Sequence, residues 1–200
     1  MIDVHGGGLG ARPDKDGVSA IRVHVGNVGS QSVEQIEFSS PLRIEEWSLV
    51  PDSGGAGRWR GGLSARRVYR VGFDEASLST NGERGRIAPA GLFGGAAGSL
   101  MANEIRHADG RIEPLPAKGP PRIVRAGDSV VIQPAGSGGY GDPLEREPER
   151  VLNDVLDGYV TPQAAQHIYG IVLGPDGRTL DLGATQAHRA RLRANRDGPD

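Results

Sequence analysis

The sequence predicts a mainly β protein with two C-terminal helices, an α+β fold whose short strands form a sandwich- or barrel-like body with glycine-rich loops. The chain has 32 glycines and 14 prolines in 200 residues, so it turns often and leaves little room for long helices. Short apolar runs alternate with polar residues as far as Asp142-Pro143, which is typical of strands. Beyond that step, apolar residues recur at helical spacing.

Residues 1–17 form a glycine-rich lead-in. Glycine dominates residues 6–10, and Pro13 and Gly17 follow, which is loop chemistry. A nucleotide-binding fingerprint needs a helix to begin at such a loop, and these residues prevent one. We therefore expect a loop that belongs to a larger protein.

Residues 18–145 are predicted to form a β-rich domain. Ile21, Val23 and Val25 alternate with polar neighbours, as in a half-buried strand. Asp109-Gly110 is the strongest hairpin signal in the chain. Further strands are expected within residues 33–38, 42–49, 63–71, 100–112, 123–124 and 130–132.

Residues 146–183 are predicted to hold two helices and a hairpin. Apolar residues from Val151 to Tyr159 follow helical spacing, and Pro148 suits a first turn. Thr161-Pro162 is a good start for the second helix, which Gly170 ends. A small hairpin is expected within 171–180. Residues 184–200 are a polar, arginine-rich tail, interpreted as either an exposed, fraying helix or a disordered segment.

Composition excludes several classes of protein. The net charge of −2 and the presence of only two lysines, Lys15 and Lys118, argue against nucleic-acid binding. The absence of cysteine excludes disulfides and thiolate metal sites and is consistent with a cytoplasmic protein. Residues 1–10 lack the features of a signal peptide, and no apolar run approaches the roughly 20 residues that span a bilayer.

Asp52, Arg58 and Arg60 form the most unusual local cluster, around a glycine-rich turn. The two arginines could clamp a carboxylate or phosphate, or they could bridge Asp52 and Glu46 structurally. No two histidines have the helical spacing of a metal site, and the hairpin flank explains His107 beside Asp109. We therefore predict no metal site in this chain.

A series of blocks carries a resemblance to a known family. The blocks are GGGLGARPDKDG (6–17), SVEQIEFSSPLRIEEW (32–47), DSGGAGRWRGGL (52–63), PAGLFGGAAG (89–98), LPAK (115–118), AGDSVVIQPAGSGGYGDPLEREPERVLNDVLDGYV (126–160) and YGIVL (169–173). In order and spacing they resemble the C-terminal portion of the B subunit in the hydantoinase B/5-oxoprolinase family.

The resemblance implies part of an ATP-dependent enzyme that hydrolyses cyclic amides such as 5-oxoproline or N-methylhydantoin. The implied partners are a hydantoinase A-type subunit that handles ATP and the N-terminal portion of hydantoinase B. ATP and a divalent cation would bind through those parts, and neither is expected on this chain alone. Related assemblies carboxylate ketones. The alternatives are a non-catalytic interaction module and a truncated remnant.

The resemblance also implies which residues contribute to a site. The implied catalytic residues are His5, Asp14, Asp16 and Asp52, and the implied substrate-binding residues are Arg12, Arg58, Arg60, Tyr140 and Asp142. Glycine allows backbone N–H groups to approach an anionic intermediate, and arginine can neutralise charge as a carbonyl is attacked. The alternative is that these glycines only satisfy tight turns in a β-rich shell.

Overall fold

The structure is a computed structural model that describes residues 2–22 and 29–196. The elements, in chain order, are α1 (Val33–Ser39), β1 (Leu42–Leu49), β2 (Ala65–Val71), β3 (Glu75–Leu78), β4 (Asn103–Arg106), β5 (Ile112–Leu115), β6 (Arg122–Arg125), β7 (Ser129–Ile132), a 3₁₀ turn (Pro143–Glu145), α2 (Pro148–Leu156), α3 (Pro162–His167) and α4 (Leu182–Arg196). None of these helices is long and apolar enough to cross a bilayer.

The strands form two antiparallel sheets. The larger has five strands in the order β1-β2-β7-β4-β5, and β3 pairs with β6 in a two-stranded sheet. In the described residues β1 and β5 are free edges, and a closed barrel requires its edge strands to pair with each other. The α+β prediction is therefore confirmed at this coarse level, and the barrel-like alternative is wrong. The described residues form four α-helices rather than the two expected in a mainly β fold.

The main core lies between the two sheets and α1. Tyr69 and Val71 of β2 and Val130 of β7 project from the same face of the larger sheet. Ile36 of α1 and Val124 of β6 pack against them, so the helix and the small sheet cover this face.

The strand expected at 33–38 is wrong, because this segment forms α1. Ser32 caps the helix by accepting a hydrogen bond from the Gln35 amide at 3.3 Å. Ile36 is fully buried, whereas Phe38 is 95% exposed, so the two residues cannot share the buried face of a strand. The strand expected around Val23 and Val25 lies outside the described residues.

Most other local predictions are confirmed. The hairpin forms between β4 and β5, and Gly110 at its turn has a φ of +89°, which glycine adopts at little cost. Helices α2 and α3 begin at the predicted prolines, and Thr161 Oγ1 accepts from the Ala164 amide at 3.1 Å. A bridge between Leu173 and Leu180 closes the expected C-terminal hairpin.

As far as Arg196, the arginine-rich tail is the packed helix α4. Thr185 is buried, and its Oγ1 accepts from the Val172 amide at 2.9 Å. Arg189 Nε donates to the Tyr169 carbonyl at 2.9 Å, and Arg193 Nη2 donates to the Leu144 carbonyl at 3.1 Å. Its arginines therefore attach the helix to the body.

The glycine-rich blocks pack backbone against backbone. The Gly8 amide donates to the Ala135 carbonyl at 3.2 Å, and the Gly62 amide donates to the Leu9 carbonyl at 2.9 Å. A Cβ added to Gly8 would lie 1.9 Å from the Gly62 carbonyl oxygen. Glycine is required here because the chains approach more closely than any side chain permits. The lead-in is therefore packed into the body.

Candidate functional site

His5 belongs to a compact polar group that we call the His5 cluster: Asp3, His5, Arg67 and Tyr69. Tyr69 Oη lies 3.0 Å from His5 Nε2 and also makes a short hydrogen bond to Asp3 Oδ2. Arg67 Nη1 donates to the same Asp3 oxygen at 2.6 Å. Three ionisable side chains thus surround one tyrosine hydroxyl.

The larger sheet positions this cluster. Arg67 and Tyr69 are two residues apart on β2 and therefore project from the same face. Trp47 lies opposite Arg67 on β1, and the Arg67 guanidinium carbon is 3.7 Å from the centre of its ring. The Ile21 amide donates to the Gly7 carbonyl at 2.9 Å, which fixes the lead-in beside His5. Two paired strands and the lead-in therefore hold the side chains of the cluster in place.

Burial sets the charge states in the His5 cluster. Burial lowers the pKa of His5 below 6.5, opposed by the nearby Asp3 carboxylate and assisted by the Arg67 charge. Burial also raises the pKa of Tyr69 well above its usual value, and its hydrogen bond to Asp3 acts in the same direction. Near pH 7 the imidazole is therefore neutral and the phenol keeps its proton.

Asp16 and Arg60 lie in a second group, which we call the Arg146 cluster: Asp16, Arg60, Arg146 and Asp154. Arg146 pairs with both oxygens of Asp16, at 2.6 and 2.8 Å, and with Asp154 Oδ2 at 2.8 Å. Arg60 Nη2 lies 3.4 Å from Asp154 Oδ1, and the Arg60 amide donates to Asp16 Oδ1 at 2.6 Å. The cluster joins the lead-in, the glycine-rich turn and α2.

The charges in the Arg146 cluster compensate one another. Arg146 is only 1% exposed, and its ion pairs hold its pKa above the usual value despite burial. Burial alone would raise the pKa of Asp16, but the hydrogen bonds and charge of Arg146 hold it below 3.8. Two carboxylates pair with two guanidinium groups, although the Nε atoms of Arg60 and Arg146 are buried without a hydrogen-bond partner. The arrangement is therefore suited to holding segments together.

The side chains of Asp52 and Asp142 accept hydrogen bonds from backbone amides at the starts of helical turns. Asp52 Oδ1 accepts from the Thr161 amide at 2.9 Å, beside the first turn of α3. Asp142 Oδ1 accepts from the Leu144 amide at 2.9 Å and from Arg196 Nη1 at 3.0 Å. Arg60 pairs with Asp154, and Glu46 lies nearest to Arg66. Among the described residues Arg58 and Arg60 therefore do not bridge Asp52 and Glu46.

Of the remaining predicted residues, Arg12, Asp14 and Arg58 are exposed and Tyr140 is partly buried. Arg12 and Asp14 belong to an exposed turn that a bridge between Arg12 and Lys15 closes. The Arg58 side chain is exposed, while its amide donates to the Gly141 carbonyl at 3.1 Å. Tyr140 packs on Phe93, with their ring centres 5.0 Å apart. In the described part of the chain none of these side chains bonds to His5.

Sequence reasoning missed the partners of both clusters. Asp3, Arg67 and Tyr69 surround His5, and alternation of Arg67 and Tyr69 within an apolar strand was the available signal for two of them. Arg146 and Asp154 offered no such signal, because both appear as ordinary charged positions of the helical segment. Within residues 2–22 and 29–196, no three His, Cys, Asp or Glu side chains converge on a possible metal position.

Comparisons with known proteins agree with the blocks described above. The family model described as hydantoinase B/oxoprolinase matches residues 1–143. The caprolactamase subunit beta of Pseudomonas jessenii is 36% identical over 170 residues, covering 82% of this chain and 29% of that protein. The 5-oxoprolinase of Dictyostelium discoideum is 30% identical over 135 residues, covering 68% of this chain and 10% of that protein.

Two solved structures share the fold. The ATP-dependent caprolactamase from Pseudomonas jessenii superposes with a TM-score of 0.79 at 34% identity, covering 92% of this chain and 32% of that one. Nucleotide-free acetone carboxylase gives a TM-score of 0.81 at 24% identity, covering 98% and 31%. The chain thus spans about a third or less of the length of these relatives. It belongs to the hydantoinase B/oxoprolinase family.

Proposed function

We propose that this chain is the C-terminal part of a hydantoinase B-type subunit in an ATP-dependent enzyme that opens a cyclic amide ring, of the 5-oxoproline or N-methylhydantoin kind. The observation that carries the proposal is the likeness to the ATP-dependent caprolactamase, at 34% identity and a TM-score of 0.79 over 92% of this chain. Caprolactam, like 5-oxoproline, is a cyclic amide, so the related enzymes attack the same kind of bond.

The proposal assigns ATP to a hydantoinase A-type partner. This chain has no glycine-lysine-serine/threonine phosphate loop, and the glycine blocks are filled by one another's backbones. A divalent cation does not fit the described residues either, because no three ligating side chains converge. We therefore place both cofactors on the A-type partner or on the N-terminal portion of hydantoinase B.

Among the predicted site residues, we favour His5 as the group that acts on substrate. It is a neutral, partly accessible imidazole at neutral pH, whereas Asp16 and Arg60 are paired within the Arg146 cluster. Asp52 and Asp142 accept hydrogen bonds at helix starts. Arg12, Asp14, Arg58 and Tyr140 remain proposed contacts for substrate or partner at the surface.

A non-catalytic interaction module is the second candidate. The observation that favours it is that several of the predicted polar residues hold segments together: Asp16, Arg60, Asp52 and Asp142 all bond to other elements of the body. As an interaction module, the chain would stabilise an assembly whose catalytic residues belong to other parts. Ketone carboxylation by a related assembly is a further variant, since the acetone carboxylase structure shares the fold.

The test is ADP release by this chain mixed with its candidate partner subunits and either 5-oxoproline or N-methylhydantoin. Release that requires both substrate and this chain supports the proposed function. Release that requires acetone and bicarbonate instead identifies the carboxylase variant. Turnover that is unchanged when this chain is omitted would leave the interaction module or a truncated remnant.

A further inference from the structure

The hydrogen bonds of the His5 cluster fix the position of the imidazole proton. Arg67 Nη1 donates to Asp3 Oδ2 at 2.6 Å, and because a guanidinium has only donors, this oxygen acts as an acceptor. The Tyr69 hydroxyl must therefore donate its single proton to Asp3. Its oxygen can then only accept at His5, so Nε2 carries the imidazole hydrogen and Nδ1 carries the lone pair.

The Nδ1 atom is the free end of this chain of hydrogen bonds. No described residue donates or accepts a hydrogen bond at Nδ1, and the His5 side chain is 17% exposed. Asp3 and Arg67 are less exposed, at 7% and 3%, so the open side of the cluster is at the imidazole. The side chain that carries this lone pair is therefore the most exposed of the three.

We propose that His5 Nδ1 accepts a proton during ring opening, and that Asp3, Arg67 and Tyr69 are positioning residues that hold the imidazole in the required tautomer and orientation; this rests on the proposed function. Arg67 and Tyr69 belong to strand β2, and Trp47 stacks on Arg67. The positions of the groups around His5 are therefore fixed in the absence of substrate. The lowered pKa of His5 keeps the acceptor unprotonated at neutral pH.

The proposed step balances as hydrolysis of one amide bond by one water. An O–H bond of water breaks, its oxygen forms a bond to the carbonyl carbon, and the proton passes to Nδ1. The ring C–N bond then breaks with its electron pair going to nitrogen. The proton on Nδ1 is returned to that nitrogen, which restores the neutral imidazole. If the partner first transfers the γ-phosphoryl group of ATP to the carbonyl oxygen, this ring opening leaves an acyl phosphate. A second water then cleaves the acyl phosphate, which releases inorganic phosphate and the carboxylate.

The first experiment uses this chain alone and does not depend on the proposed function. Heteronuclear NMR of its imidazole nitrogens should show His5 with hydrogen on Nε2, an unprotonated Nδ1 and a pKa below 6.5. In Tyr69→Phe the preference for Nε2–H should weaken, because the acceptor oxygen is gone. A hydrogen on Nδ1 in the wild-type chain at neutral pH would overturn the proposal.

The second experiment uses the reconstituted assembly. His5→Gln should lower kcat for ring opening by about 10²–10⁴-fold, with a circular dichroism spectrum like that of the wild-type chain. His167→Gln is the matched control, because His167 lies exposed on α3 and has no polar partner in the described residues. The rate should fall as the pH drops through the pKa of His5, and Asp3→Asn should move this limb to lower pH because the carboxylate raises that pKa.

The outcomes separate the two claims. A wild-type assembly that shows no substrate-dependent turnover overturns the proposed function, and the catalytic role of His5 falls with it. If the assembly containing His5→Gln opens the ring as fast as the active wild-type assembly, the catalytic role of His5 is overturned and the proposed function stands. A loss that appears equally in His167→Gln also counts against it.

Discussion

Asp16 and Arg146 are 130 positions apart in the chain and form a two-point ion pair, with distances of 2.6 and 2.8 Å between their paired oxygen and nitrogen atoms. Arg146 also bonds to Asp154 of α2, so one guanidinium joins the N-terminal lead-in to the C-terminal helices. Because the group is buried, each partner depends on the others for its solvation.

Arg146→Met should destabilise the protein by about 3–5 kcal/mol, because it leaves the buried carboxylate of Asp154 and the partly buried carboxylate of Asp16 with only Arg60 to compensate them. Arg106→Met is the control, since it breaks a half-exposed pair with Glu104 and should change the free energy of unfolding by at most about 1 kcal/mol. Urea denaturation measures both. Equal effects for the two variants would contradict the role assigned to the Arg146 cluster.

The same ion pair predicts a response to acid. Asp16 has a pKa below 3.8 in the folded protein, so its contribution to stability is full above pH 3.8 and is lost as the pH falls towards the folded value. Asp16→Asn should therefore be less stable at neutral pH. Its free energy of unfolding should also fall less steeply than that of the wild-type protein as the pH drops below 3.8. Urea midpoints measured across that range test this, and parallel curves would count against it.

His5 predicts a separate effect at milder pH. Its folded pKa lies below 6.5, so the unfolded chain binds more protons just below pH 6.5 and the free energy of unfolding falls as the pH decreases there. His5→Gln removes this titration and should flatten the curve from pH 6.5 downwards. A slope that persists in His5→Gln would show that another group is responsible.

The backbone packing predicts a strong contrast between two glycines. In Gly8→Ala the new methyl group would lie 1.9 Å from the Gly62 carbonyl oxygen, so the two segments must separate, at a cost of about 1–3 kcal/mol or more. Gly10→Ala has no atom within 4 Å of its new methyl group and should be neutral or slightly stabilising. Thermal melting compares the two, and similar melting temperatures would rule out close packing at Gly8.

The docking of α4 depends on arginine bonds to backbone carbonyls. Arg189 donates to the Tyr169 carbonyl at 2.9 Å and to the Arg146 carbonyl at 2.8 Å. Arg189→Ala should raise amide hydrogen exchange along Leu182–Arg196, although alanine itself favours helix. Arg191→Ala on the exposed side of the same helix is the control and should change exchange little. Equal protection in both variants would mean that α4 is held by other contacts.

Local signals in the sequence predicted much of the fold. Thr161 and Pro162 are confirmed as the start of α3 because capping depends on residues a few positions apart. Asp109-Gly110 is confirmed as a hairpin turn for the same reason. The segment around Ile36 was misjudged because a helix of 7 residues is too short to show its periodicity clearly.

The site was less predictable because its contacts are long-range. His5 stood out beside the glycines, but Tyr69, its hydrogen-bond partner, is 64 positions away in a buried strand. Nothing local distinguishes Arg146 from the other arginines of the helical segment, and only the folded chain brings it to Asp16. Alternation on β2 indicates that Arg67 and Tyr69 share a face, whereas their approach to Asp3 depends on the path of the lead-in.

The most direct test of the account is the fate of the oxygen in the ring-opened product. The assembly containing this chain is supplied with ATP, a cyclic amide and heavy-oxygen water, and the product is examined by mass spectrometry. The account predicts an opened product whose carboxylate carries the heavy oxygen, formed only when this chain is present. Labelled product formed equally well without this chain would contradict it.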